Sequence, residues 1–281
     1  MAKGKTRTPR LRPLLNDLPP GFIVDTKWLR ARGIDSKSIH HYIKHGWIER
    51  IVHGVYRRPL PESVPNRHML SWQAVLVSLQ QLMGCNIHLG GSNALDFAGH
   101  THYVMIGKSQ PVHFYGNAPS WLRRLPTVDK IISRRSTLFG GDPVGIVDST
   151  TPAKEVNWTV GVWNWPIKVS CPERAILELV AELRGNSDFE NVDLIFENLI
   201  RLRPQLLMRL LLACRSVKVR RLFFVFAERH KHDWLEFLEP NQIEFGSGPR
   251  ALVKGGGFHP TYRISVPEFL LDTSYEDGSI F

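Results

Sequence analysis

The stretch "SIHHYIKHGWIERIVHGVYRRP", residues 38–59, carries the pattern that decides the fold. Wound as a helix at about 100° per residue, it puts Ile39, Tyr42, Ile43 and Gly46 on one side. Lys37, His41 and Lys44 fall on the opposite side, with His40 and His45 flanking them. The preceding "GIDS" reads as a turn in which Ser36 N-caps the helix, and Gly46 closes it. Directly behind lie two short β-prone runs, Ile48–Val52 and Val55–Arg57. His53-Gly54 joins them in a tight turn where glycine accepts positive φ. One apolar side for a core and one basic, hydrogen-bonding side for a groove are what a recognition helix needs, and the hairpin stands where a wing would. Arg50, His53, Arg57 and Arg58 are the wing residues placed to meet phosphates.

Working outward toward the N-terminus, Asp25 or Thr26 caps a helix that runs through Ala31, with Trp28 and Leu29 inward and Gly33 as its stop. This is the first helix of a helix-turn-helix. A short helix around Arg10–Asp17 precedes it and ends at Leu18-Pro19-Pro20-Gly21. Residues 1–9 have no apolar period and form either a disordered terminus or the start of a basic arm running to residue 12, in which Lys3, Lys5, Arg7, Arg10 and Arg12 would reach DNA. Charge is concentrated in the same region. Residues 1–60 hold 13 Lys or Arg against 4 Asp or Glu, which is +9 of a formal net charge of +10, and the other 221 residues are nearly balanced. Charge focused in this way points to a polyanion, because phosphate neutralisation and counterion release supply most non-specific nucleic-acid affinity.

Residues 38–59 resemble the N-terminal winged helix of the AbiEi-type antitoxins of bacterial type IV toxin–antitoxin systems. Three later stretches are similar in the same order: "HLGGSNALDFAGH" at 88–100, "VSCPERAILELVAEL" at 169–183 and "YRISVPE" at 262–268. The resemblance implies a protein that binds double-stranded DNA at inverted repeats in its own promoter and represses transcription. It also implies a C-terminal domain that counters a nucleotidyltransferase-like toxin without forming a stable complex with it. Carried onto this sequence, the DNA-contacting set is Lys37, Ser38, His40, His41, Lys44, Arg50, His53, Arg57 and Arg58. An inverted repeat requires two copies of one winged helix, so a dimer on DNA is expected.

The fold class expected is α+β: a winged helix-turn-helix over residues 1–60, then a larger mixed α+β domain over 61–281 with a helical second half and a subdivision near 168. Pro59 and Pro61 open the linker "PLPESVPNRH". Trp72, Val75, Leu76, Leu79, Leu82 and Met83 follow a helical period up to Gly84, and "GGSNALDFAGH" reads as a turn plus a helix capped near Ser92. "VHFYG", "KIISRR" and "PIKVS" read as strands of a mixed sheet. Ser170-Cys171-Pro172-Glu173 has the arrangement of a capping box, and another helix sets Phe189, Val192, Phe196, Leu199 and Ile200 on one face before Pro204 starts the next. In "RSVKVRRLFF", Arg215, Lys218, Arg220 and Arg221 open a helix, forming either a solvated basic face or a second nucleic-acid surface.

Several function classes are disfavoured. Neither "GGSN" nor "GSGPRALVKGGG" matches a phosphate loop or a dinucleotide fingerprint, and no Glu-x-Lys of the common nuclease signature occurs. Asp96 and Glu173 are isolated acids read as helix-start caps. His100/His102 and His230/His232 are spaced as paired ligands but lack a recognisable third one, so neither a metal nor a cofactor is expected. Cys85, Cys171 and Cys214 are far apart in apolar sequence, as reduced core thiols are. No apolar run has membrane length, and the basic N-terminus lacks the apolar segment of a secretion signal, so the chain is expected in the cytoplasm. Two other readings stay open here: a regulator whose C-terminal domain senses a small ligand, and a nucleic-acid enzyme joined to a winged helix.

Overall fold

The computed structural model describes residues 11–100, 111–135, 137–150, 165–252 and 256–271. These fall into two compact units. One is gathered from Met1–Leu89, Gly107–Arg135 and Asp148–Lys168, the other from Gly90–Ile106, Ser136–Val147 and Val169–Phe281.

The first unit begins with α1 (Leu11–Asp17), β1 (Ile23–Asp25), α2 (Thr26–Ala31), α3 (Ser36–Lys44), β2 (Glu49–Val52) and β3 (Val55–Arg57). Asp25 and Asp35 are the N-caps of α2 and α3, accepting from the amides of Trp28 and Ser38, so the α3 cap stands one residue before the expected Ser36. The strands form an antiparallel sheet of order β1-β3-β2. The hairpin β2–β3 was legible in the sequence, but the three-residue strand β1 was not, and it turns β3 from an edge into the central strand. Leu14, Leu18, Phe22, Val24, Trp28, Leu29, Ile34, Ile39, Tyr42, Ile48 and Tyr56 make one core.

That core is extended by the helix that follows the linker. α4 (Trp72–Val77), capped by Ser71, continues into a π-helical turn at Ser78–Leu82. The Ser78 hydroxyl accepts from the Ile23 amide at 3.0 Å, and the Trp28 indole N–H donates to the Leu82 carbonyl at 2.7 Å. Next come β4 (Ile87–Leu89), α5 (Gly91–Phe97), β5 (Val112–Gly116), β6 (Ile131–Arg134), β7 (Ile146–Thr150) and β8 (Pro166–Ser170). They give a five-stranded mixed sheet of order β6-β5-β4-β8-β7, with β4 antiparallel and β6 parallel to β5. The Gln80 amide bonds both backbone groups of Lys168 and the Ile87 carbonyl, pinning the π-helical turn to two strands.

The second unit is mainly helical: α5, α6 (Pro172–Ala181), α7 (Asn186–Asn198), α8 (Pro204–Ala213) and α9 (Val217–His230), followed by the hairpin β9 (Gly257–His259) and β10 (Ile264–Val266). α9 is the central element, every side chain from Val219 to Ala227 being buried. Its core joins Ala175, Ile176, Val180, Phe189, Val192, Phe196, Leu207 and Leu210 to Phe223, Phe224 and Phe226. Ile200, expected inward, is 64% exposed, because α7 ends at Asn198 and the helical period stops with it.

The expected capping box at 170–173 does not form. Cys171 is the N-cap of α6 without a side-chain bond, and the Ser170 hydroxyl instead donates to Glu178. Glu178 also accepts from the Gly91 amide and from Arg174, which further donates to the carbonyls of Asp142 and Val144. Arg174 and Glu178 are almost fully buried, and buried charge persists only when paired and hydrogen-bonded in this way. The Glu173 carboxylate accepts from the amide and guanidinium of Arg203. Burial opposes its ionisation, but these donors prevail and hold its pKa down at about 2. Asp96 likewise does not cap a helix start, since it lies in the last turn of α5.

Candidate nucleic-acid interface

α3 divides as its period requires. Ile39 and Tyr42 are 4% and 5% exposed, while Lys37, His40, His41 and Lys44 lie at the surface and Ser38 is half-buried. His41 and Lys44 occupy the last turn, where cations complement the negative end of the helix dipole. Gly46 takes φ +71°, a conformation open to glycine, and lets the chain leave α3 toward the wing.

An aromatic array at the end of α3 was not expected. The His45 ring lies 5.2 Å from that of Trp47, stacked at 24°, and 4.1 Å from that of His41. His45 Nδ1–H donates to the His41 carbonyl at 2.8 Å. A carbonyl only accepts, so Nδ1 carries the proton and Nε2 is the nitrogen left open. The one-dimensional signal for this was His-x-x-x-His followed by Trp, a helical spacing that stacks the rings.

At the wing, Arg50 and His53 are exposed and joined, Arg50 Nη2 donating to His53 Nδ1 at 2.5 Å. His53 therefore keeps Nε2–H as a donor without being charged, so it offers phosphate a hydrogen bond even in its neutral form. The turn is fixed from below, because both the amide and the hydroxyl of Thr26 donate to the Gly54 carbonyl, at 2.9 and 3.1 Å. Gly54 sits at φ +79°.

Arg57 and Arg58, expected on phosphates, are turned to structural work. Arg57 is 2% exposed because β3 is central, and its guanidinium meets Glu49 at 2.6 Å and the Met69 carbonyl. Glu49 is its register partner across the sheet. Arg58 donates to the carbonyls of Leu15 and Leu18, which close the end of α1. Of the arm, Arg12 is exposed on α1, whereas Lys3, Lys5, Arg7 and Arg10 lie outside the described residues. Lys27 and Arg30, left out of the sequence-derived set, are exposed on α2, the helix that crosses the DNA backbone in such domains.

Comparison with known proteins decides the family. Residues 7–106 match the family described as "Transcriptional regulator, AbiEi antitoxin N-terminal domain", and residues 109–267 match "Transcriptional regulator, AbiEi antitoxin, Type IV TA system". This chain belongs to the AbiEi family. Among solved structures it is similar to the RV2827C protein from Mycobacterium tuberculosis, with 15% identity, a TM-score of 0.53, and 90% of this chain and 88% of that one covered. At that identity the likeness concerns the fold alone. No curated protein matches the sequence. The N-terminal AbiEi match runs well past the winged helix, through α4, β4 and α5.

The remaining site expectations fall elsewhere in the AbiEi chain. The basic run at 215–221 is not a solvated face. Lys218 Nζ donates to the carbonyls of Ala181 and Leu183 at the end of α6. Arg221, 1% exposed, donates to the carbonyls of Phe245, Gly246, Gly248 and Arg263. Arg220 is 9% exposed, and Arg215 alone of the four lies open. His230 and His232 donate to Asp193 and to the Phe196 carbonyl, and His102 lies outside the described residues. Among the described residues no cluster of three or more His, Cys, Asp or Glu is placed to hold a metal, and no helix is long and apolar enough to cross a membrane. The three cysteines are unpaired, Cys171 and Cys214 buried and Cys85 half-buried; burial pushes the Cys171 thiol up to about 11.

Proposed function

We propose that this AbiEi-family regulator binds double-stranded DNA at inverted repeats in its own promoter and represses its own operon. Residues 1–60 are the DNA-binding module, with α3 in the major groove, Lys37, Ser38, His40, His41 and Lys44 toward the DNA, and Arg50 and His53 on the flanking backbone. Two copies occupy one operator. In the cytoplasm, residues 61–281 counter a nucleotidyltransferase-like toxin encoded beside it, without a stable complex, and take no direct part in catalysis.

One observation carries this reading: an N-capped helix whose buried face is Ile39 and Tyr42 exposes Lys37, His41 and Lys44 together, directly before a hairpin that exposes Arg50 on its first strand and His53 at its turn. Phosphate contacts from such a pair of elements fix register, and side chains on the helix read base edges. The test is titration of the full-length protein onto its promoter fragment and onto a shuffled fragment of equal length. Preference for the promoter by about a thousandfold or more is expected of a specific regulator at physiological salt. Equal affinity for the two would reject the operator assignment. For the second half, co-expression with the neighbouring toxin gene should restore growth while co-purification recovers no complex.

A further inference from the structure

We infer that the N-terminal end of α9 is a binding site for a small phosphate-bearing ligand, gripped by the guanidinium of Arg220. The site is separate from the DNA-binding module and does not depend on that reading.

The sequence places four cations, Arg215, Lys218, Arg220 and Arg221, around the start of a 14-residue helix. The dipole is already positive there, so cations at that end are unfavourable unless something negative offsets them. Lys218 and Arg221 are offset by backbone carbonyls, two and four of them. Arg215 is exposed to water, its guanidinium lying against Gly140. Arg220 has no such arrangement. It is 9% exposed, its Nε is buried without a hydrogen-bond partner, and among the described residues no carboxylate pairs with it. Arginine is almost never buried to this degree unpaired.

The unpaired group is directed at the helix end. Side chains on a helix slant toward its N-terminus. Burial pushes the Cys214 thiol up, and its bond to the Ser216 backbone and the charge of Arg220 pull it part-way back, which is consistent with a guanidinium reaching back over the first turn toward Cys214, two residues before the Ser216 cap. At that end the Val219 and Arg220 amides are taken by the Ser216 hydroxyl and carbonyl. The Val217 and Lys218 amides have no acceptor among the described residues. A guanidinium fork beside two open amides suits an oxyanion. Phosphate fits better than carboxylate, because it can place two oxygens on the fork and turn a third, separate oxygen to the amides. A duplex backbone needs cations at the open surface, whereas a terminal phosphate group can enter beside a side chain this covered.

The experiment is thermal unfolding of the full-length protein at fixed pH and ionic strength, with sodium phosphate replacing sodium chloride. Wild type should melt at a temperature that climbs with phosphate concentration, as a ligand preferring the folded state requires. Arg220→Met should melt in chloride no lower than wild type, since it removes an unpaired buried charge, and its response to phosphate should need at least tenfold more ligand. Arg220→Lys keeps the charge without the fork and should respond between the two. Lys37→Ala with Lys44→Ala should respond as wild type does, which separates this site from the outer face of α3. A nucleoside 5′-monophosphate arm names the source: a lower half-effect concentration than that of inorganic phosphate assigns a nucleotide, an equal one free phosphate. The inference is overturned if wild type responds to phosphate no more than to chloride, or if Arg220→Met and Arg220→Lys both respond as wild type does. Loss of duplex binding in Arg220→Met without any phosphate response in wild type would also overturn it, in favour of a nucleic-acid surface.

Discussion

Two basic segments of this chain look alike in sequence and end in opposite places. At 37–53, Lys37, His41, Lys44, Arg50 and His53 stand at the surface. At 215–221, Lys218 and Arg221 turn to backbone carbonyls, and Arg220 is covered. The difference lies in the neighbours of each charge. α3 has a narrow apolar face that leaves its cations outward, whereas α9 is surrounded by the core and meets the end of α6 and two loops whose carbonyls need donors. A run of charge therefore says where cations are in the sequence, and the packing around it says whether they are available to a partner.

The comparison can be broken most severely at Arg221. Arg221→Met should cost about 3 kcal/mol, because four carbonyls gathered around one buried guanidinium lose their charged donor together. The denaturant midpoint reports it, while the folded fraction should retain its DNA affinity. Arg57→Ala should cost about 2 kcal/mol of stability, with part of the loss falling on Glu49. If Arg57 instead served phosphate, the same change would spare stability and weaken DNA binding.

A pH experiment sharpens the second unit. Glu173 has its pKa lowered from an ordinary 4.5 to about 2 by Arg203, working against burial. A depressed carboxylate stabilises the fold fully above its ordinary value, and that contribution fades as pH falls from about 4.5 toward 2. Arg203 is 61% exposed, so screening reduces the gain to about 1 kcal/mol. Glu173→Gln should flatten that part of the acid limb in a plot of stability against pH. The smallest effect is expected at the wing, where His53→Ala should weaken operator binding about threefold, the scale of one neutral hydrogen bond to phosphate. Because His53 donates from Nε2–H without a charge, the loss should persist at pH 8.

Most of α3 and the β2–β3 hairpin was legible, since the helical period and the glycines at 46 and 54 are local signals, although the α3 cap is Asp35 and not the expected Ser36. The fate of Arg57 was not, because it depends on β1, three residues whose strand character arises only from pairing with β3. Glu173 shows the same limit: it sits where a capping box would use it, yet its partner Arg203 lies 30 residues away. The Trp47 stack was within reach of the sequence, as the spacing of His41 and His45 already aligned two rings on one helical face. Arg220 could not be told from Arg221 by sequence, since adjacent helical positions differ only in what the rest of the fold brings to each.

The central claim is that the outer face of α3 contacts operator DNA, and the most direct measurement is the salt dependence of promoter affinity for wild type and for Lys37→Ala with Lys44→Ala. Both substitutions are at the surface, so the melting temperature should not change. The variant should bind at least about a hundredfold more weakly, and its slope of log affinity against log salt should be shallower by about two. An unchanged affinity and an unchanged slope in a folded variant would contradict the account.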